Sequence, residues 1–379
     1  MRTAVQRRGA LALCVVLLFC LLAGCTGHSG EKSWSELTPQ STTELKYAKQ
    51  FTIEDYGNGL QLITIAQDRQ YLLVPEGAQP PAGVPEEVTV LQQPIQNIYL
   101  TATAAMDLFR ALDGLDAIRL SGTKESGWYL PEARQAMEAG DILYAGKYSA
   151  PDYELILAQQ CGLAVESTMI YHNPEVKEQL ESLGIPVLVD YSSYESDPLG
   201  RMEWIKLYGA LLGKEEEAAR IFDEEVAAVQ PVLNQTNTGK TVAFFYITNT
   251  GTVNVRKSGD YIAQLIRMAG GVYVPDNQNG DEENALSTMN IDMESFYAAH
   301  DADVLIYNST VDGELASLDE LLKKSELLAD FKAVQNGEVW CTGKNMFQSS
   351  MSLGRMILEI NAVLTQQAPD GLTYLYRLS

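Results

Sequence analysis

The feature that most narrows the fold is an alternation of short apolar runs and amphipathic segments, repeated on both sides of one helical stretch. From Asn97 the runs NIYL, AIRLSG, DILYAG, LAVEST and IPVLVDY read as strands. Between them ATAAMDLFRALDG, PEARQAMEAG, PDYELILAQQ and NPEVKEQLESLG carry the 3.6-residue apolar period of helices. Pro131 and Pro151 open two of these helices and Gly184 closes another, where their backbone preferences place them. Strands joined through helices of this length pair in parallel, because the chain must cross over a sheet face to return. After Leu233 the order resumes. TVAFFYIT, DVLIYN and VWCTG read as strands, TVNVRKS as a short extended piece, and DYIAQLIRMAGG, IDMESFYAAHDA, SLDELLKKSELLADFKAVQNG and SMSLGRMILEINAVLTQQ as helical regions. The expected fold is α/β, with two three-layer lobes of mainly parallel sheet.

The stretch between the lobes, Leu199 to Leu233, reads as two helices broken at Gly213. The first, to Leu212, belongs to the first lobe. In the second, Ala218, Phe222, Val226 and Val229 recur at steps of three and four and form one buried stripe. Glu215, Glu216 and Glu217 fill its first turn, where the helix dipole favours negative charge. About 20 helical residues span roughly 30 Å and resist bending, so residues 214–233 are expected to join the lobes at a nearly fixed spacing, with Phe222, Val226 and Val229 packed against both.

At the N-terminus, Arg2, Arg7 and Arg8 precede an apolar run from Ala10 to Leu22, which is short for a membrane span and suited to a signal-peptide core. It ends in Leu22-Ala23-Gly24-Cys25, which resembles the lipobox of bacterial lipoproteins. That resemblance implies cleavage before Cys25, diacylglycerol on its thiol, and an extracytoplasmic protein held at the outer face of the cytoplasmic membrane. A plain secretory signal followed by a chance cysteine is the competing reading. The expected segments are a signal peptide (1–24), a polar lipid-anchored tether (25–45), a first lobe (46–213), the interlobe helix (214–233) and a second lobe (234–379). Within the first lobe, the alternating runs between Tyr47 and Val74, with Gly57-Asn58-Gly59 between two of them, read as a hairpin or small meander.

A net charge of −23 argues against nucleic acid and anionic lipid surfaces as partners, since both demand a basic face. With 46% apolar and 20% charged residues the chain is globular. Cys161 and Cys341 are expected to be free and largely buried. The three histidines are far apart in sequence and no CxxC occurs, so no metal site and no intrinsic cofactor are expected. Catalytic signatures such as GxSxG, HExxH or a phosphate-binding glycine loop with lysine do not occur either, and no enzymatic activity is expected.

In their order, NIYLTATAAMDLFRALDG, APDYELILA, ESLGIPVLV, LYGALLGKEEEA, IAQLIRMAGG and ADVLIY behind a lipobox resemble the substrate-binding lipoproteins of ABC importers for ferric siderophores, haem and cobalamin. The resemblance implies two lobes joined by one long helix, a ligand cleft between them, a monomer, and a permease dimer with its ATPase as partner. It also implies a docking role for one glutamate on each lobe; Glu154 and Glu294 stand at matching positions, although the helix dipole alone explains a glutamate there. The transported compound would be an iron chelate, haem or corrinoid. Loops beyond the strand ends then supply the candidate ligand contacts. In the first lobe these are Trp128, Lys147, Tyr148, Tyr171, His172, Tyr194 and Arg201. In the second they are Arg256, Lys257, Tyr307, Met346 and Phe347. Adjacent cations in so acidic a chain single out Arg256 and Lys257, while Tyr171, His172 and Met346 are candidate axial ligands should the cargo be haem. A lipid-anchored sensor or adhesin of the same fold would have the same sequence features.

Overall fold

Alternation of apolar and polar residues from Phe51 onward builds a sheet that precedes the α/β lobes. In the computed structural model, which describes residues 33–276, 288–369 and 371–379, β1 (Ser41–Thr42), β2 (Phe51–Gly57), β3 (Leu60–Ile65), β4 (Arg69–Val74) and β5 (Thr89–Gln92) pair in that order. The pairs are antiparallel except β5, which runs parallel to β4. Gly57, Asn58 and Gly59, all with positive φ, make the turn between β2 and β3. Ile53, Ile63, Tyr71 and Leu73 join the main core, while Leu62, Leu72 and Val74 are covered from the other side by Val88 with Trp34 and Tyr56. The meander is thus present and larger than expected. The polar stretch expected to be tether as far as residue 45 is engaged earlier: Trp34 lies 5.1 Å from the Tyr56 ring and its N–H donates to the Ala82 carbonyl at 2.8 Å. The signal segment and Cys25 lie outside the described residues.

The first lobe follows the expected alternation. Its strands are β6 (Ile98–Leu100), β7 (Ile118–Ser121), β8 (Leu143–Tyr144), a short hairpin of β9 (Gly146–Lys147) and β10 (Ala150–Pro151), then β11 (Ala164–Ser167) and β12 (Val187–Asp190). Five of them form a parallel sheet in the order β12-β11-β6-β7-β8. Ile98, Leu100, Val165 and Leu188 face one layer, and Tyr99, Leu120, Ala164 and Val189 the other, as a sheet buried on both sides requires.

The second lobe comprises β13 (Thr241–Ile247), β14 (Val253–Arg256), β15 (Val272–Val274), β16 (Thr288–Ile291), β17 (Val304–Tyr307), β18 (Val339–Thr342) and β19 (Leu375–Arg377). The order is β16-β14-β13-β17-β18-β19, with β15 beside the start of β13. The central pairs are parallel, whereas β14, β16 and β19 run antiparallel to their neighbours. The segment TVNVRKS is therefore a full ladder strand and not an isolated extended piece. The long helical region after Ser317 is broken into Leu318–Lys324, a 3-10 turn at Glu326–Asp330 and Lys332–Gln335, because Ser325 takes an extended conformation.

Gly213 (φ 65) ends the helix Ile205–Leu212 in the left-handed conformation, and the long helix Glu215–Leu233 starts two residues later. A further break at Trp204 separates Ile205–Leu212 from Pro198–Glu203, so the Leu199–Leu212 piece is two helices instead of one. On the long helix Phe222 and Val229 are buried and Val226 half-buried. Phe222 meets Tyr47 edge-on at 6.1 Å. Further along, Val229 packs on Gly354 of the C-terminal helix Leu353–Leu364, where a Cβ would stand 3.0 Å from Val229 Cγ1. The helix therefore touches both lobes. Direct bonds reinforce it: Ser350 Oγ donates to the Ala104 carbonyl (2.7 Å), the Met351 N–H to Asp107 (2.8 Å) and Gln348 Nε2 to the Gly127 carbonyl (2.7 Å).

Candidate functional site

The alternation along β14 decides which residues the second lobe offers between the lobes. Val253 and Val255 point into the core, so Asn254 and Arg256 point the other way, into a cleft of about 580 Å³. The Arg256 backbone is pinned by Tyr273, whose hydroxyl accepts from the Arg256 N–H at 2.9 Å and donates to its carbonyl at 2.7 Å. Its guanidinium lies 3.6 Å from Asp260 and 5.2 Å from the centre of the Phe347 ring. Asp260 is the cap of the next helix, Tyr261–Met268, and accepts the Ile262 N–H at 2.9 Å, so the cap and the cleft carboxylate are the same group.

Arg201 enters from the first lobe. It sits near the end of Pro198–Glu203, donates Nε to the Glu195 carbonyl at 2.9 Å and Nη2 to the Ser193 carbonyl at 2.6 Å, and lies 3.5 Å from the centre of the Tyr261 ring. Burial pulls its pKa below the ordinary value, and Arg256 nearby adds to this. Burial also pushes the Tyr261 hydroxyl up to about 12, so tyrosine remains a neutral ring under the cation. Ser193, Tyr246, Asn308 and Thr310 complete the polar lining, and Met346, Ser350 and Ala104 surround a smaller recess of about 60 Å³ beside it. Two guanidinium groups face one carboxylate. The cleft is thus a cationic spot, with aromatic walls, in a strongly acidic chain.

Of the residues proposed from sequence, Arg201, Arg256, Met346 and Phe347 line these two spaces. Tyr171 and Tyr194 stand at the adjoining edge, each near Tyr191 (6.2 and 5.3 Å between ring centres). The others are elsewhere. Trp128 is a core residue, 1% exposed, with its indole N–H on Ser121 Oγ at 3.3 Å. Tyr307 is fully buried in the second lobe's core at the end of the central strand β17, with its hydroxyl toward Asp312 at 3.4 Å. Lys147 is exposed on the β9–β10 hairpin, with Tyr148 in its turn, and neither lines the cleft. Lys257 follows Arg256 out of the strand and lies outside the lining, and His172 is exposed at the end of a 3-10 turn. Asn254, Asp260 and Tyr261 were missed, although the alternation Thr252, Asn254, Arg256 against Val253 and Val255 would have revealed the first of them.

Glu154 and Glu294 occupy equivalent settings. Each is exposed in the first turn of a short helix, Tyr153–Ala158 or Met293–Tyr297. Each helix is capped by the preceding aspartate, Asp152 accepting the Leu155 N–H at 3.0 Å and Asp292 the Ser295 N–H at 2.6 Å. A separate groove of about 350 Å³, lined by Gln93, Pro94, Leu212 and Lys214, lies by the N-terminal ends of β6 and β7; there the Lys214 ammonium is already bonded to the carbonyls of Leu112 and Asp113.

Residues 101–346 match the profile of a family described as periplasmic binding protein. An uncharacterized lipoprotein of Methanocaldococcus jannaschii is 27% identical over 313 residues, which is 79% of this chain and 71% of that protein. The periplasmic haem binding protein HutB of Vibrio cholerae superposes with a TM-score of 0.58 at 18% identity, over 72% of this chain and 99% of its own. The periplasmic catecholate-siderophore binding protein VctP of Vibrio cholerae gives 0.55 at 14% identity, over 73% and 95%. At these identities the likeness is one of fold. Strands β1 to β5 precede the residues that match the family profile.

Proposed function

This chain belongs to the periplasmic binding protein family, and we propose on that footing that it is an extracytoplasmic substrate-binding lipoprotein of an ABC importer. It captures an iron–siderophore, haem or cobalamin-type compound between its lobes and hands it to a permease dimer driven by an ATPase. The observation that carries the reading is the pairing of Arg201 and Arg256, one from each lobe, across a cleft walled by Tyr261 and Phe347. Guanidinium groups pair with carboxylate, catecholate or hydroxamate oxygens, and aromatic walls take a flat or macrocyclic body. The haem and catecholate-siderophore binding named for the two Vibrio cholerae proteins of this fold supports the same ligand classes.

Glu154 and Glu294 are the docking charges in this proposal. Two exposed carboxylates on separate lobes orient an elongated protein on its partner and speed encounter, even though each surface pair contributes about 1 kcal/mol or less. Cys25 supplies the membrane anchor, in keeping with the lipoprotein name of the Methanocaldococcus jannaschii relative. Among the described residues no helix is long and apolar enough to cross a membrane. The protein works as a monomer and captures its cargo without chemistry. Quenching of intrinsic tryptophan fluorescence by a panel of ferric siderophores, haemin and cobalamin tests the proposal. One class should quench saturably, and a flat response to every member would overturn it.

A further inference from the structure

The N-terminal sheet precedes the family match, yet its β3–β4 hairpin tip stands against the loops that edge the cleft. The tip is Ala66-Gln67-Asp68, with Ala66 (φ 50) and Gln67 (φ 70) both left-handed, a conformation uncommon for residues that carry a Cβ. The Ala66 N–H is held by the Gln50 carbonyl at 2.8 Å, and Ile65 pairs with Arg69 across the turn. Two residues on, the Tyr71 hydroxyl donates to the Val187 carbonyl at 3.1 Å and ties β4 to β12. Arg69 is therefore placed by fixed backbone on both sides.

Its guanidinium lies 5.1 Å from the centre of the Tyr171 ring and 5.2 Å from that of Tyr191, which in turn is 5.3 Å from Tyr194. These tyrosines come from the loops that follow β11 and β12. The second loop continues through Ser193, which lines the cleft and holds Arg201, so this loop carries both patch and cleft residues. Tyr171 and Tyr194 are 38% and 48% exposed. Asp68, which pairs with Arg69 at 3.0 Å, is itself well solvated and is readily exchanged for another anion.

We propose that Arg69, with Tyr171, Tyr191 and Tyr194, forms a second recognition patch, supplied by the N-terminal sheet, for an anionic group on the periphery of the ligand. The proposal rests on the cleft being the ligand site. A guanidinium lying against aromatic rings keeps N–H groups free for a carboxylate or catecholate, and the exposed rings accept a flat ligand by stacking. In a chain of net charge −23 the surface field repels anions, so an anionic ligand requires cations at each point where its charge comes to rest.

The test compares Arg69→Gln and Arg69→Lys with the wild-type full chain, using haemin and a ferric tricatecholate as anionic probes and cyanocobalamin and ferrichrome as uncharged ones. Arg69→Gln should weaken the anionic probe by about tenfold or more, the loss of a charge-assisted bond, with partial recovery in Arg69→Lys and an unchanged melting temperature. Uncharged probes should be unaffected. Equal affinity of Arg69→Gln and wild type for the anionic probe, an equal loss for both probe types, or binding of uncharged probes alone would each overturn the patch. If Arg256→Gln loses haemin or the tricatecholate while Arg69→Gln does not, the patch falls and the cleft stands. Wild-type protein that binds no probe removes both.

Discussion

Replacing Glu203 by glutamine should detach the N-terminal segment while leaving shape and volume almost unchanged. Glu203 is fully buried and accepts the backbone N–H groups of Lys46 (2.9 and 3.0 Å), Tyr47 (2.7 Å) and Ala48 (2.9 Å), together with the Lys206 ammonium at 2.8 Å. Glutamine can keep one oxygen toward the three N–H groups only by turning its own amide N–H₂ toward Lys206, donor against donor. The Lys206 side chain is 10% exposed and keeps the Glu44 carbonyl at 2.9 Å as its remaining hydrogen bond, so its charge loses the carboxylate bonded to it. Removing one partner of a buried pair costs about 3–5 kcal/mol, and the remaining N–H groups lose their charge-assisted acceptor as well. Urea unfolding should show that loss in Glu203→Gln, and hydrogen exchange should show faster exchange at Lys46, Tyr47 and Ala48 before the rest of the first lobe. A loss below about 1 kcal/mol with those amides still protected would show that the carboxylate is not the staple its geometry implies.

Other expectations follow from the same structure. The double variant Glu154→Ala, Glu294→Ala should bind its cargo as wild type does yet support no uptake by cells; lost affinity with intact uptake would contradict the docking role. Glu166 is buried with Oε1 unpartnered, and burial pushes its pKa from 4.5 up to about 7 while the Thr101 hydroxyl, donating to Oε2, pulls it down. The folded state thus holds a proton that the unfolded chain releases, so stability should fall as pH rises from about 4.5 to about 7, by on the order of 3 kcal/mol in all. Glu166→Gln should remove that slope and raise the urea midpoint at pH 8; an unchanged midpoint there would count against it. Small-angle scattering should show no change in radius of gyration beyond error when the cleft is filled, since the Glu215–Leu233 helix and the Ser350–Ala104 and Met351–Asp107 bonds fix the lobe spacing. A clear drop would show a hinge.

The lobes were legible in the sequence because parallel strands buried on both faces leave continuous apolar runs, and all five such runs of the first lobe became neighbours in one sheet. Gly213 was legible as a break because a left-handed residue after a helix is a local event. Trp204 as a second break was not, since nothing in its neighbourhood disfavours a continuous helix. The antiparallel strand β14 was underread for a related reason: half its residues face the cleft, and a polar face dilutes the apolar signal. Trp128 and Tyr307 sit in loops or at strand ends by sequence and in the core by structure, because direction into or away from the cleft depends on the tertiary path. Arg69 lay beyond reach altogether. Its partners are about a hundred residues away, and only the β4–β12 tie brings the hairpin to them.

The most direct test of the account is calorimetric titration of wild type and Arg256→Gln, side by side, with haemin, ferric siderophores and cobalamin. One class of compound should bind at one site per chain, with a loss of about tenfold or more in Arg256→Gln, the effect of removing a charge-assisted bond from a pocket with two cations. Equal affinity of the two proteins, or no binding heat with any member of the set, would contradict it.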